Sequence, residues 1–396
     1  MATRLLIAGS VTRDFQQLAQ RWSQPGGAPW HAVLGGVGGV WAEDVHVAIG
    51  ARVGPWVGRY ARPALIAAGA RWDRVSASED TVFVNRFHAA RRRQHLRSAA
   101  PAITRSALPA GRFDAVVLSP LFPADLAADC ISALAARARF VTLDLQGLLR
   151  TVDRAGRVRV EQTDLTAPIA HAQACKFSVE EFGVVAGPVP WRPAAAAFAA
   201  AHDVELVVTE AARGAALFLP PRLGGGEVVA SGVGVSEAVD TSGAGDLLTA
   251  TYAVARARGR SPAAALAAAS AAAIGLLKRR QRAQPVAARV LPCLRALEAT
   301  LLRRTRRRAP AGERARAASL AVTPLQRAIE AQLGGRLVAA ATPEDRAGAV
   351  LSGAWALLTR GWPTDLAPSD PLAPQGLAGA IAREQSLLRR PERSSG

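Results

Sequence analysis

The sequence predicts an α/β fold in which a mostly parallel sheet is covered on both faces by helices. Short runs rich in apolar and β-branched residues recur along the chain, and each is followed by a helix-like or loop segment. Strands buried on both faces read as near-continuous apolar runs, and these runs have that character. With 396 residues, half of them hydrophobic and a fifth charged, the chain suffices for a large core and is not of disordered composition.

In chain order, residues 4–8, 45–53, 115–118, 140–145 and 205–209 read as buried strands, and 124–137, 192–201, 246–258 and 262–279 as helices. Segment 75–98 differs. Its stretch Thr81-Val-Phe-Val-Asn-Arg-Phe-His88 alternates with polar residues on one side, the pattern of a strand with one wet face, and predicts a small accessory sheet. The composition shifts near Arg303. Residues 301–319 read as an Arg-rich linker and 320–396 as a helical extension, with helices over 324–333, 343–358 and 375–388 around an irregular Pro-rich stretch, 361–374. The Gly-rich segments 35–39 and 224–226 lack a full strand-to-helix fingerprint and read as loops.

The net charge is +18, the sign of a nucleic-acid binder, yet Lys occurs only at Lys176 and Lys278 and the remaining cations are Arg. None of the Arg runs at 91–93, 279–282 and 303–308 contains an aromatic residue to stack on bases, so solvated faces are the favoured reading. Cys130, Cys175 and Cys293 are odd in number, far apart and not at zinc-ligand spacing, which fits buried thiols in a reducing compartment. The apolar run at the N-terminus is too short for a signal peptide. The longest uncharged stretch, 261–277, is mostly Ala and Ser and reads as a buried helix rather than a membrane span. A cytoplasmic protein is expected.

Chemistry concentrates in Val239-Asp-Thr-Ser-Gly-Ala-Gly-Asp-Leu-Leu-Thr-Ala-Thr-Tyr252. An apolar strand end meets a Gly-Ala-Gly turn that opens a helix. Such a turn aims backbone N–H groups and the positive end of the helix dipole at one point, an anion site suited to phosphate. An Asp at its mouth can take a proton from an attacking hydroxyl. Helix capping is the ordinary role of such an Asp, but the full seven-residue pattern is too specific for capping alone.

Asp240-Thr-Ser-Gly-Ala-Gly-Asp246 resembles the C-terminal signature of the PfkB, or ribokinase-like, carbohydrate kinases. Over residues 1–300 other segments resemble the family in the right order: the opening strand with Asp14 at a substrate position, the pair Gly26-Gly27 at the sugar site, and Val207-Val-Thr-Glu-Ala-Ala-Arg-Gly214 on the nucleotide side, with Ala211 replacing the first Gly. Residues 265–274 resemble the helix that packs on adenine. Asn85-Arg-Phe, Asp144-Leu-Gln-Gly-Leu-Leu-Arg150 and Lys176-Phe-Ser-Val-Glu-Glu181 resemble the branch that includes plant myo-inositol kinases.

The resemblance implies a ribokinase-like three-layer α/β/α fold with a small β lid from residues near 11–30 and 75–100. It implies an ATP- and Mg2+-dependent kinase acting on a hydroxyl of a sugar or cyclitol, with myo-inositol among the candidates. Asp246 would be the base, and Gly243, Ala244 and Gly245 the anion hole. Asp14, Gly26, Gly27, His31, Asn85, Asp144 and Arg150 would meet substrate. Lys176, Ser178, Thr209, Gly214, Asp240, Thr241 and Ser270 would meet the nucleotide, and Glu181 would reach magnesium through water. His31 stands where the family commonly has Asn, which leaves the substrate open. The alternatives are a nucleoside kinase of the same fold, or a silent relative that binds nucleic acid or protein. A small polyol or sugar partner is expected, no membrane, and a homodimer is left open.

Overall fold

The computed structural model describes residues 2–17, 21–37, 44–73, 75–88, 91–236, 239–307, 321–337 and 342–389. The chain divides into two compact units, Met1–Val57 with Ala70–Lys278, and Gly58–Gly69 with Arg279–Gly396.

The first unit is built on an eight-stranded sheet. From edge to edge it runs Glu227–Ser231, Gly214–Phe218, Glu205–Thr209, Ala174–Ser178, Ala138–Asp144, Phe113–Leu118, Thr3–Ala8 and Val45–Gly50. Every pairing from Val45–Gly50 to Glu205–Thr209 is parallel, and the two strands beyond join antiparallel. Leu5, Leu6 and Ile7 are wholly buried, as strands covered on both faces require. Helix Ala244–Ala257 packs on Phe113–Leu118 and Ala138–Asp144, and Val179–Ala186 and Trp191–His202 pack on strands Ala174–Ser178 and Glu205–Thr209. Every residue from Leu247 to Ala255 is buried, so this helix is interior all round.

A second sheet of four strands has the order Arg21–Gly26, Thr12–Gln17, Thr81–His88, Arg91–Ser98. Thr12–Gln17 and Thr81–His88 pair in parallel and the outer two are antiparallel. This is the predicted accessory sheet, and it draws on both predicted lid segments. A hairpin of Arg150–Val152 and Val158–Val160 follows the central strand Ala138–Asp144.

A buried ionic cluster ties helix Ala244–Ala257 to the sheet. Glu205 accepts hydrogen bonds from the Tyr252 hydroxyl and from Arg256, whose Nη2 and Nε lie 2.6 and 2.9 Å from its oxygens. Glu205→Ala would leave Arg256 facing a hole in this cluster. It should cost about 3–5 kcal/mol, read as a lower urea midpoint with an unchanged slope; a variant as stable as the parent would remove the cluster from the stability account.

Several boundaries differ from the sequence reading. The strand expected over 45–53 ends at Gly50, the helix expected over 124–137 is Ala128–Ala135, and the helix expected from Asp246 begins at Ala244. Gly35 and Gly36, expected in a loop, fall in a π-helical turn, Val33–Val37, and Gly38 and Gly39 lie outside the described residues. The largest difference is the helix Pro262–Arg307, which runs past 279 and through Pro285 and Pro292. A helix-interior proline costs about 3 kcal/mol, and the buried Val290, Leu294, Leu297 and Leu301 supply the packing that outweighs it. Helix therefore replaces the first part of the linker expected over 301–319; residues 308–319 lie outside the described residues. The units accordingly divide after Lys278, not near 300.

The second unit is helical. Besides the later part of the long helix it holds Arg62–Ala67, Pro324–Leu333, Pro343–Arg360 and Pro374–Arg389. Thr323 and Thr342 each cap a helix whose first residue is Pro, their hydroxyls accepting from the amides of Gln326 and Asp345. Arg346 and Glu384 form a buried ion pair at 3.2 Å. No helix among the described residues is long and apolar enough to cross a membrane.

Candidate active site

The loops at the C-terminal ends of the central strands and one face of the small sheet enclose a cavity of about 240 Å³. This is where open parallel sheets place ligands. Register explains what the small sheet contributes. Asp14 pairs with Gln24 across one strand boundary and with Phe83 across the next, while Asn85 pairs with Gln94. These side chains all line the cavity, together with Thr12. Gln94 donates to Asn85 Oδ1 at 3.1 Å, and Thr12 Oγ1 to Asp14 Oδ1 at 2.8 Å. Asn85 is 1% exposed, so its amide is withdrawn from solvent.

The opposite wall is the start of helix Ala244–Ala257, where Ser242, Gly243, Gly245 and Asp246 reach the cavity. Gly243 has φ of +78°, and a Cβ there would fall 2.2 Å from His31 Cγ. Only glycine fits, because the imidazole occupies the space of a side chain. Of the three amides expected to form an anion hole, Ala244 N–H donates to Thr241 O at 3.2 Å, while the N–H groups of Gly243 and Gly245 have no backbone partner among the described residues. Asp240 Oδ1 accepts from the Ser242 amide at 2.9 Å and shapes the turn from outside the cavity.

The floor carries charge. Lys176 lies at the middle of the strand Ala174–Ser178, and its Nζ lies 3.3 Å from Asp144 Oδ2. A Cβ at Gly245 would sit 3.4 Å from that Nζ, which puts the ammonium beside the glycine turn. Burial disfavours the Lys176 charge, but Asp144, Glu181 and Asp246 outweigh it, so the pKa is raised and the ammonium stays protonated. Burial and the nearby Asp144 carboxylate push Asp246 up to about 6, against the opposing pull of Lys176 and Arg150. Arg150 is 5% exposed and donates from Nη1 to Leu121 O at 3.0 Å. The Leu121 amide is in turn held by Asp125, itself bonded to Ser10. Gly147, between Asp144 and Arg150, is needed because a Cβ would meet Pro120 O at 1.8 Å.

Of the residues expected at the site, Asp14, Gly27, His31, Asn85, Arg150, Lys176, Gly243, Gly245 and Asp246 line this one cavity. Gly26 packs against the Asp14 carboxylate, and Asp144 acts through Lys176. Ser178 caps helix Val179–Ala186 in a reciprocal box with Glu181, and both line an adjoining cavity. Glu181 pays a burial cost, yet Lys176, the Ser178 amide and Arg150 outweigh it and hold its carboxyl below the usual range. Thr209 donates to Phe177 O at 3.3 Å, and Gly214 is crowded by Ala230 O in the neighbouring strand. Neither they nor Asp240, Thr241 and Ser270 line the cavity. Ser270 is buried, with no hydrogen-bond partner for its Oγ among the described residues. Sequence reasoning missed Thr12, Gln24, Phe83, Gln94 and Gln146 as site residues. The strand pairings alone would have found Gln24 and Gln94, opposite Asp14 and Asn85.

A glycine turn at a helix start, a partly buried carboxylate with a raised pKa and a polar cavity beside a small β-sheet are features of the kind phosphotransferases use, here on a ribokinase-like fold. The profile of the pfkB family carbohydrate kinases matches residues 76–286, and the chain belongs to that family. No curated protein sequence matches it. Among solved structures, a pyrophosphate-dependent kinase in the ribokinase family, complexed with a pyrophosphate analogue and myo-inositol, is 20% identical with a TM-score of 0.59 over 69% of this chain and 94% of its own. Arabidopsis thaliana ribokinase with ribose and ATP is 18% identical, TM-score 0.52, over 70% and 93%. Aminoimidazole riboside kinase from Salmonella enterica, with aminoimidazole riboside and an ATP analogue, is 20% identical, TM-score 0.53, over 69% and 93%. At these identities the likeness speaks for the fold.

Proposed function

We propose that the chain phosphorylates a hydroxyl of a small uncharged polyol, a cyclitol or sugar, with Asp246 as the general base. The observation that carries this reading is the meeting of Asp246, the Gly243 and Gly245 amides and Lys176 with a wall of Asp14, Gln24, Asn85 and Gln94 in one cavity. Amides and a single carboxylate suit the alternating donors and acceptors of ring hydroxyls. Phe83 and the His31 imidazole are the aromatic rings among the described lining residues, and neither Tyr nor Trp joins them, so a nucleoside base would find little to stack on. A volume of about 240 Å³ suits one monosaccharide-sized ring.

Asp246 takes the proton of the acceptor hydroxyl while that oxygen attacks the transferred phosphorus, and the bond from phosphorus to the leaving group breaks. The Gly243 and Gly245 N–H groups and the Lys176 ammonium face the charge that builds on the phosphoryl oxygens. ATP is the donor that the family resemblance implies. No group of three His, Cys, Asp or Glu side chains among the described residues forms a metal cage. Magnesium needs no such cage, since it keeps several waters and takes one or two carboxylates plus donor phosphate. The ionised Glu181 fits that requirement. A bound magnesium would neutralise donor phosphate charge.

The test is a screen of cyclitols, hexoses and nucleosides for phosphate ester formation with Mg-ATP, followed by a pH profile on the best acceptor. Because Asp246 must be ionised to act as base, kcat/KM should fall with unit slope below a pKa of about 6. A profile flat down to roughly pH 4.5 would remove Asp246 as the base. Turnover of nucleosides alone would overturn the acceptor class.

A further inference from the structure

A second cavity, of about 670 Å³, adjoins the acceptor cavity and shares Gln94, Gln146 and Arg150 with it. Its walls come from the hairpin Arg150–Val152 and Val158–Val160, the small-sheet strand Arg91–Ser98 and the start of helix Val179–Ala186. The lining carries four guanidinium groups, on Arg93, Arg150, Arg157 and Arg159. Arg150 is almost wholly buried, and it acts electrostatically on both Asp246 and Glu181, so it stands between the two cavities. Arg157 is ion-paired with Asp153, while Arg93 and Arg159 are exposed at the mouth. Glu180 and Glu181 bring negative charge to one side, an arrangement suited to an anion that travels with a divalent cation.

No Phe, Tyr or Trp among the described residues lines this cavity. The one ring among the described lining residues is the His95 imidazole, so a nucleobase would find little to stack on, whereas a compact polyanion would find guanidinium groups from three separate strands. We propose that the chain accepts inorganic pyrophosphate as a phosphoryl donor, held in this arginine-lined cavity beside the acceptor. The inference rests on the kinase reading above and concerns only the donor. In the transfer, the bond from the reacting phosphorus to the bridging oxygen breaks, and its electron pair leaves with orthophosphate. The acceptor oxygen forms the new P–O bond, and its proton passes to Asp246 and then to solvent. Nothing is oxidised or reduced.

The experiment compares pyrophosphate and ATP as donors, each with Mg2+ and the polyol found in the screen, in the parent chain and in Arg93→Gln/Arg159→Gln. Titration calorimetry with magnesium pyrophosphate is run alongside, and circular dichroism checks that the variant folds. The parent should form polyol phosphate from pyrophosphate, and the variant should show KM and Kd for pyrophosphate raised about tenfold or more, with KM for the polyol within about twofold. Product from ATP but none from pyrophosphate overturns the proposal and leaves the kinase reading standing. An unchanged KM and Kd for pyrophosphate in the variant overturns the assigned cavity. Absence of product with both donors overturns both readings.

Discussion

Asp246→Asn is expected to lower kcat by about three orders of magnitude while leaving the KM for the phosphoryl donor within about threefold. The amide keeps the shape of the carboxylate in the helix's first turn but cannot take the acceptor proton. The same substitution should stabilise the fold at neutral and alkaline pH. The folded pKa of Asp246 lies at about 6, above the ordinary 3.8, so the folded chain holds the proton more tightly than the unfolded one. Parent stability therefore falls as pH rises from near 4 through about 6. The Asn variant should melt higher than the parent at roughly pH 8, and the difference should vanish below roughly pH 3.5. Equal melting temperatures at both values would show that Asp246 is not held in an unfavourable charged state.

Gly243→Ala should be nearly as damaging, for a steric reason. The residue sits at φ of +78°, where a Cβ is strained, and that Cβ would fall 2.2 Å from His31 Cγ. The turn must move, carrying the Gly243 and Gly245 amides and Asp246 out of line, and a shift of about 1 Å in such a constellation costs on the order of 100-fold in kcat. Pairing Gly243→Ala with His31→Ala removes the imidazole from the contested space. The double variant should recover part of the lost rate, a coupling that a double-mutant cycle reads directly. Turnover at the parental rate in Gly243→Ala alone would show that the turn does not position the reaction. The cycle also bears on the one departure from the family pattern at the substrate end, because His31 acts here partly as the wall against which the glycine turn is built.

The local geometry of the chain was legible where contiguous sequence carries it. Asp240-Thr-Ser-Gly-Ala-Gly-Asp246 specifies a turn and a helix start through backbone conformation alone, and the structure has both. The buried strands were legible because burial on both faces leaves an apolar run. The long helix was not, since Pro285 and Pro292 argue locally for a break and only packing along Val290, Leu294 and Leu297 overrules them. The Ala244 amide also escaped: its bond to Thr241 O depends on how the turn closes, which the residue types leave open.

The net charge of +18 changes meaning on the same ground. Composition alone suggests a polyanion such as nucleic acid, and the runs of Arg suggest solvated faces. Neither view singles out Arg150, Arg157 and Arg159, which lie scattered along one hairpin and gather with Arg93 only when the small sheet comes beside it. By itself the sequence determined the turn, the place of Asp246 at its end and the family, because those rest on contiguous residues and the conformations they allow. Tertiary structure alone decided which amides of the small sheet face Asp246 and which arginines share a cavity, because strand register and loop packing bring together residues far apart in the chain.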